Sequence, residues 1–274
     1  MKRLNKLIFT LIFAVVAISL VACGSGENNN ETNEDNTNEG KNLYEDIKEK
    51  GVLTVGTEGV YPPFSFHNDE GKLTGYDVEV IREVAKRMGV EVKFEETQWD
   101  AMFAGLNAGR FDVIANQVGI NKDRLANYDF SIPYTYSSAV VVVPKDNTDI
   151  TSFEDLKGKK SAQTLTSNYG EIAKEYGAEL VSVEGLFQAA EVIKQGHADV
   201  TVNDKLAVLD YLKQKGDDLK IVAESDEKSE MAFTFNKGNE ELVNAVNEAL
   251  ESMIEDGTLS NIAIEWFGED VSTK

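Results

Sequence analysis

The chain has few of the cysteine and histidine residues that form disulfide frameworks and Cys/His metal sites. It contains one cysteine and two histidines in 274 residues, so neither a disulfide framework nor a Cys/His metal cluster can be assembled. Basic residues are also few, since 27 Lys and Arg stand against 48 Asp and Glu and the formal charge is −21. Such an excess of negative charge argues against nucleic acid as a partner. The composition predicts no metal and no cofactor.

Long apolar runs are missing beyond residue 22, and the one at the amino end is a targeting segment. Lys2, Arg3 and Lys6 precede the apolar residues 7–22, and Leu-Val-Ala-Cys follows, ending at Cys23. A short apolar run after positive charge is typical of a signal peptide rather than a membrane span. Leu-x-Ala-Cys resembles the bacterial lipobox, which implies cleavage after residue 22 and acylation of Cys23. An ordinary secretory signal is the alternative.

Residues 23–42 predict an acylated cysteine followed by a disordered tether. The segment is rich in Asn, Glu, Gly and Thr and carries no large apolar residue, so it has no surface to bury. Signal, acyl cysteine and tether together predict a globular body that is lipid-anchored at the extracellular face of the cell membrane.

From Leu43 onward, β-branched runs alternate with amphipathic helices. This alternation predicts mainly parallel sheets covered by helices, and two such series of similar size predict two lobes with a ligand cleft between them. A capping box at 97–100 is expected to begin the second helix, with Trp99 in its first turn. Strands are predicted near 51–56, 90–94, 111–115, 140–143, 160–164, 180–183, 199–203 and 219–223, and helices near 75–89, 99–106, 152–156, 169–176, 186–195 and 205–215.

The stretch 111–124 predicts one wall of a binding site. It begins as a buried strand, turns polar at Asn116 and Gln117, passes Gly119 and ends at Arg124. A parallel strand that ends in small and polar residues forms a crevice at its carboxyl end. Gly119 lets a ligand approach the backbone N–H, and Arg124 offers a planar fork of donors that fits a carboxylate. A strand, a turn and a surface arginine are the alternative.

Several short motifs resemble one family in their order and spacing. They are Gly-Tyr-Asp-Val-Glu-Val at 75–80, Tyr-Asp-Phe-Ser-Ile-Pro-Tyr at 128–134, Leu-Lys-Gly-Lys at 156–159 and Asp-Gly-Thr-Leu at 256–259, with Trp-Phe-Gly at 266–268. Over about 51–268 the chain resembles the family 3 extracellular solute-binding proteins of polar-amino-acid ABC importers. The resemblance implies a type II periplasmic-binding-protein-like α/β fold with two lobes, two hinge strands and a ligand cleft. Lobe 1 would comprise 43–137 plus 231–274, and lobe 2 would comprise 138–230.

The resemblance also implies how an amino acid would be held. Arg124 matches the arginine that pairs with the α-carboxylate, and Gly119 stands where relatives often have Ser or Thr, so only its N–H contributes. Asp204 matches the carboxylate that binds the α-ammonium; its alternative role is the N-cap of the helix at 205–215. Tyr61 and Trp99 match aromatics that enclose the ligand side chain, with a core role as the alternative for Trp99.

Further polar residues bear on the choice of ligand. Ser167, Asn168 and Tyr169 begin a helix of lobe 2, where free N–H groups suit a carboxylate. The segments 116–118, 166–169 and 203–209 are similar to those of L-cystine-binding lipoproteins of Gram-positive bacteria. Cystine has a second zwitterionic end, for which Glu58, Gln117, Asn168 and Tyr169 are candidate partners. Glutamine, arginine and histidine are the alternative ligands.

Two other classes of protein compete with this interpretation. Some dehydratases share the fold, but the chain has no Gly-x-Ser-x-Gly elbow, and His67 and His197 both lie in predicted polar turns. A membrane sensor would need a spanning helix, and none is predicted after Gly268. The expected partners are therefore a small amino acid, the permease and ATPase subunits of an ABC importer, and the membrane through the lipid anchor. The protein itself is expected to be a monomer and not an enzyme.

Overall fold

The computed structural model describes residues 42–216 and 218–274, so the predicted signal peptide and the lipidation site Cys23 lie outside the described residues, as does the tether up to residue 41. No helix of the described part is long and apolar enough to cross a bilayer. In chain order the elements are α1 (Leu43–Lys50), β1 (Val52–Thr57), β2 (Val60–Tyr61), β3 (Ser65–His67), β4 (Leu73–Thr74), α2 (Tyr76–Met88), β5 (Glu91–Glu96), α3 (Trp99–Asn107), β6 (Val113–Ile114), α4 (Lys122–Asn127), β7 (Tyr128–Phe130), β8 (Thr135–Pro144), a 3₁₀ turn (Glu154–Leu156), β9 (Lys160–Gln163), α5 (Asn168–Glu175), β10 (Glu179–Ser182), α6 (Leu186–Lys194), β11 (Thr201–Asp204), α7 (Lys205–Lys215), β12 (Leu219–Met231), β13 (Thr234–Asn236), α8 (Glu240–Glu255) and α9 (Thr258–Phe267).

The first lobe is built on a five-stranded sheet of order β5-β1-β6-β13-β7. Strand β1 is parallel to β5 and β6, whereas β13 is antiparallel to β6 and β7. Helix α2 packs against α8 and α9 because its apolar residues recur at the helical period, and it ends at Gly89, whose φ of 72° is the left-handed C-cap conformation. The chain therefore returns to this lobe after the second lobe is complete.

The second lobe contains a parallel and an antiparallel part. Strand β10 pairs in parallel with β9, and an isolated parallel bridge joins Ser161 of β9 to Val200. Beyond it, β11 and β12 flank β8 on either side, both antiparallel to it. Helices α5, α6 and α7 cover these strands. The sheet is thus only partly parallel, where a mainly parallel one was predicted.

Strands β8 and β12 connect the two lobes. They pair from Leu219 with Pro144 at one end to Met231 with Thr135 at the other, and the register shifts between Glu224 and Lys228. Because both strands pass from one lobe to the other, they form the two hinge strands of the predicted two-lobe α/β fold.

Some predicted elements are corrected. The capping box at 97–100 is wrong, since the N-cap of α3 is Gln98 and no side chain caps the helix; Asp100 instead accepts hydrogen bonds from Thr166. The predicted helix at 152–156 is a 3₁₀ turn, and β12 extends eight residues further than predicted because its second half forms the hinge. Helices α8 and α9 are absent from the prediction.

Candidate functional site

A cavity lies between the two lobes and encloses about 500 Å³ of empty space, including its opening to solvent. Seven of the ten predicted ligand residues line it. The polar and aromatic residues of the lining include Glu58, Tyr61, Trp99, Asn116, Gln117, Ser167, Asn168, Tyr169 and Asn203. Gly119, Arg124 and Asp204, which were also predicted, lie directly behind this lining.

Arg124 is a buried cation that forms no close ion pair with a described residue, although the Glu171 carboxylate acts on it from a longer distance. Arg124 lies in α4, where the Asn121 side chain accepts a hydrogen bond from its backbone N–H at 2.8 Å. Its guanidinium donates to the carbonyl oxygens of Gly119 (3.0 Å) and Thr166 (3.3 Å) and stands 5.4 Å from the ring centroid of Trp99. The side chain is 8% exposed, and it forms no salt bridge within residues 42–216 and 218–274. Burial lowers the pKa of Arg124 from its usual range, although an arginine stays protonated in proteins.

Gly119 lies where the two lobes come close. It forms an isolated antiparallel bridge with Met231, and the flanking bonds run from Ile120 N to Glu230 O and from Ala232 N to Val118 O. In such a non-hydrogen-bonded pair the N–H and C=O of Gly119 point away from the partner strand. A Cβ at this position would lie 3.4 Å from Asn168 Nδ2, which is an ordinary contact distance, so Asn168 of the second lobe lies close to the backbone of Gly119.

The amino end of α5 forms the opposite wall. Ser167 is its N-cap, with Oγ accepting from Gly170 N at 3.0 Å and donating to Thr164 O at 3.0 Å. Tyr169, in the first turn, donates its hydroxyl to Asp204 Oδ2 at 2.8 Å. The N–H groups of this first turn have no partner inside the helix and suit an anion.

Asp204 caps α7, as its alternative role predicted. Its Oδ1 accepts from Leu206 N at 2.8 Å and from Ala207 N at 3.3 Å. The residue is 0% exposed, and burial raises the pKa of its carboxyl despite these hydrogen bonds. Capping occupies Oδ1, so Oδ2, already bonded to Tyr169, is the atom that remains for a ligand ammonium.

Asn116 holds the Glu58 carboxylate at the cavity. Its Oδ1 accepts from Glu58 N (2.9 Å) and Thr57 Oγ1 (3.1 Å), and its Nδ2 donates to Glu58 Oε2 at 2.6 Å. Burial raises the pKa of Glu58 to about 7, while the Asn116 hydrogen bond lowers it and Asp100 raises it further. Glu58 is therefore a carboxylate for which a nearby cation would be strongly stabilising.

Two aromatic side chains shape the cavity. Tyr61 donates to Asn203 Oδ1 at 3.1 Å across the cleft. Trp99 is 7% exposed and packs edge-on against Phe103, and its indole Nε1 has no hydrogen-bond partner among the described residues. Trp99 thus belongs both to a small core cluster and to the cavity wall.

Gln117 is held by a buried carboxylate. Its N and Nε2 donate to the two oxygens of Asp77 at 2.8 and 2.6 Å, and Tyr134 donates its hydroxyl to Asp77 Oδ1 at 3.0 Å. Burial raises the pKa of Asp77 to about 7, against the lowering effect of these hydrogen bonds.

The lobes are closed on each other. Besides Tyr61 and Asn203, Thr166 donates from N (3.1 Å) and Oγ1 (2.7 Å) to Asp100 Oδ1, and Arg124 reaches the Thr166 carbonyl. Asn203 and Asp77 are among the residues that sequence reasoning missed as contributors to the site. Their positions in the sequence could have indicated both residues, since Asn203 immediately precedes Asp204 and Asp77 lies in the 75–80 motif.

Comparisons with known proteins identify the family of this chain. The sequence profile of the bacterial extracellular solute-binding proteins, family 3, matches residues 53–269. The L-cystine-binding protein TcyA of Bacillus subtilis (strain 168) is 56% identical over 271 residues, which cover 98% of this chain and 100% of that protein.

Two solved structures bear on the conformation. An ancestral arginine-binding protein bound to arginine is 37% identical with a TM-score of 0.75, covering 80% of this chain and 99% of that chain. The L-cystine solute receptor of Neisseria gonorrhoeae, in the unliganded open conformation, is 52% identical with a TM-score of 0.58, covering 85% and 100%. The less similar sequence, in a bound state, superposes better than the more similar one in an open state. This order agrees with the closed cleft.

Proposed function

Because this chain belongs to family 3 of the bacterial extracellular solute-binding proteins, we propose that it binds L-cystine outside the membrane and delivers it to an amino-acid ABC importer. The observation that carries the proposal is Arg124. Arg124 is 8% exposed and lies beside the cavity, and among the described residues its guanidinium contacts carbonyl oxygens and aromatic rings. It has no carboxylate at salt-bridge distance there, although such a group normally pairs with one. The α-carboxylate of an amino acid supplies that anion, with the Gly119 N–H and the start of α5 as further donors.

The proposed contacts come from both lobes. We assign 43–137 plus 231–274 to lobe 1 and 138–230 to lobe 2, with the boundaries in the paired ends of β8 and β12. Arg124 and Trp99 then contact the ligand from lobe 1, and Ser167 and Asp204 contact it from lobe 2. A ligand that bridges both walls stabilises only the closed form, because both sets of contacts exist together only there.

The choice of cystine rests on further polar groups that line the cavity. A second zwitterionic end brings a second ammonium, for which Glu58 is the carboxylate held in place by Asn116. Asn168, Tyr169 and Gln117 offer neutral polar groups beside it. Cystine is also the ligand in the name of the TcyA relative.

Calorimetry over L-cystine, glutamine, arginine and histidine, in oxidising buffer, tests the ligand. We expect cystine to bind most tightly. If cystine gives no heat and another amino acid binds, the importer role stands and the cystine assignment is wrong. If none binds, the amino-acid site itself is refuted.

Binding without catalysis is part of the proposal. The protein should release its ligand chemically unchanged, which mass spectrometry of ligand recovered from the cleft would show. A dehydrated or cleaved product would favour the enzyme alternative. We further propose a monomer that is acylated at Cys23 and docks on permease and ATPase subunits, in keeping with the ABC-transport role of its family.

A further inference from the structure

Asp77 is a buried carboxylate with no cation to balance it. It is 0% exposed and lies in the first turn of α2. It forms no salt bridge with any described residue. Its oxygens accept three hydrogen bonds, two of them from Gln117 and one from the Tyr134 hydroxyl. Since a buried charge without a cation is costly, a role beyond packing is indicated.

Its main partner, Gln117, has an unusual backbone conformation and a side-chain oxygen without a hydrogen-bond partner among the described residues. Gln117 has a φ of 49°, a left-handed conformation that non-glycine residues seldom adopt. The bond from its N–H to Asp77 Oδ2 helps hold that conformation. Its Nε2 donates to Asp77 Oδ1 and, at 3.2 Å, to Thr135 Oγ1. Its Oε1 is buried and has no partner among the described residues, and the residue itself lines the cavity.

The two residues together fix which end of the carboxamide is available. The Gln117 N–H and the Tyr134 hydroxyl already donate to the two Asp77 oxygens. Above about pH 7 the Asp77 carboxyl is ionised and only accepts hydrogen bonds, so the NH₂ group of Gln117 must point to Asp77. A carboxamide has one NH₂ end and one oxygen end, and the oxygen is therefore the end left unpaired. Without Asp77 the amide could turn over and offer donors instead.

We infer that Asp77 is a positioning residue that fixes Gln117 as a hydrogen-bond acceptor, so that the site selects ligands carrying an N–H donor, such as an ammonium, at Gln117 Oε1. This inference rests on the proposed function, because it concerns the same cleft. It adds that part of the ligand selectivity resides in Asp77, which does not itself touch the ligand.

The test compares two probes that differ in their ammonium groups. L-Cystine has two of them, and 3,3′-dithiodipropionate has the same disulfide and carboxylates with none. Calorimetry would measure both dissociation constants for the wild-type chain, Asp77→Asn, Gln117→Ala and the double variant. We expect wild type to prefer cystine and Asp77→Asn to reduce that preference at least tenfold. In the Gln117→Ala background, Asp77→Asn should change the preference no further.

Tyr134→Phe is the matched control. It removes one hydrogen bond to Asp77 and leaves both bonds to Gln117 in place, so the ratio of the two constants should stay within about twofold of wild type. If Asp77→Asn weakens both probes equally, or lowers the ratio no more than Tyr134→Phe does, Asp77 is only structural and the inference is overturned, while the proposed function stands. If the wild-type chain binds neither probe, the cystine assignment falls and the inference falls with it.

Discussion

Asp77 should make the folded chain less stable as pH rises. A salt-bridged carboxylate has the opposite effect, because its stabilisation is lost as pH falls. Burial raises the pKa of Asp77 from 3.8 to about 7, so between these values the folded chain keeps a proton that the unfolded chain has lost. Stability therefore falls as pH rises through this window, because the unfolded state binds fewer protons than the folded state. The contribution is fully present below about pH 4 and lost above about pH 7.

The size of the effect follows from the width of the window. A shift of about three pKa units, from 3.8 to about 7, corresponds to about 4 kcal/mol at 1.36 kcal/mol per unit. Asp77→Asn removes this titration. Although the variant loses hydrogen bonds and is less stable overall, its deficit relative to wild type should shrink by about 4 kcal/mol between pH 4 and pH 7.5.

Urea unfolding without ligand, at half-unit steps from pH 4 to pH 8, would measure this deficit. Asp69→Asn is the control, because Asp69 is exposed in the turn before β4 and its substitution removes a surface carboxylate without touching the buried Asp77 network. A constant deficit for Asp77→Asn across the whole range would show that Asp77 titrates normally and would refute the reasoning.

Substitutions at three further positions test the site and the anchor. Arg124→Ala should weaken amino-acid binding by about 2–5 kcal/mol. Arg124→Lys should also lose binding, because the single ammonium of lysine cannot replace the planar set of donors of a guanidinium. If calorimetry finds nearly unchanged affinity in both variants, a ligand role for Arg124 is excluded. Asp204→Asn should weaken binding at least tenfold and reduce the compaction that cystine causes in small-angle scattering, whereas a capping role alone would lower the unfolding temperature and leave affinity intact. Cys23→Ser should appear in the medium or stay unprocessed; cell fractionation that finds it processed and membrane-bound would contradict the lipid anchor.

The elements that sequence could predict are those with local causes. Helix α2 was expected at 75–89 and runs from Tyr76 to Met88, because its apolar period and its terminal glycine both lie within the segment. The capping box at the start of α3 was wrong for the opposite reason, although the helix begins at Trp99 as expected. Asp100, which was expected to complete a capping box, is engaged by Thr166 of the other lobe, 66 residues away.

The same distinction holds for the site. The positions of Tyr61, Trp99 and Gln117 at the cavity follow motifs that are visible in the sequence. The contact between Gln117 and Asp77 spans 40 residues, and that between Tyr61 and Asn203 spans 142, so no local pattern announces either one. The Asp204 carboxylate could be a helix cap or a ligand for an ammonium, and the sequence does not distinguish the two roles. The structure shows the capping hydrogen bonds.

The position of Arg124 between the lobes has a consequence for transport fidelity. The Thr166 carbonyl that it contacts belongs to the second lobe and the Gly119 carbonyl to the first, so closure removes water from the cation and offers it carbonyl dipoles, with the Glu171 carboxylate acting only at longer range. Under the proposed role, an empty protein that closes bears a buried cation without a carboxylate in direct contact, and a loaded one does not. The ligand-free form then favours the open state, so the closed conformation that a permease would recognise is mainly the ligand-bound one. One arginine would in this way limit futile docking of empty binding proteins at the importer.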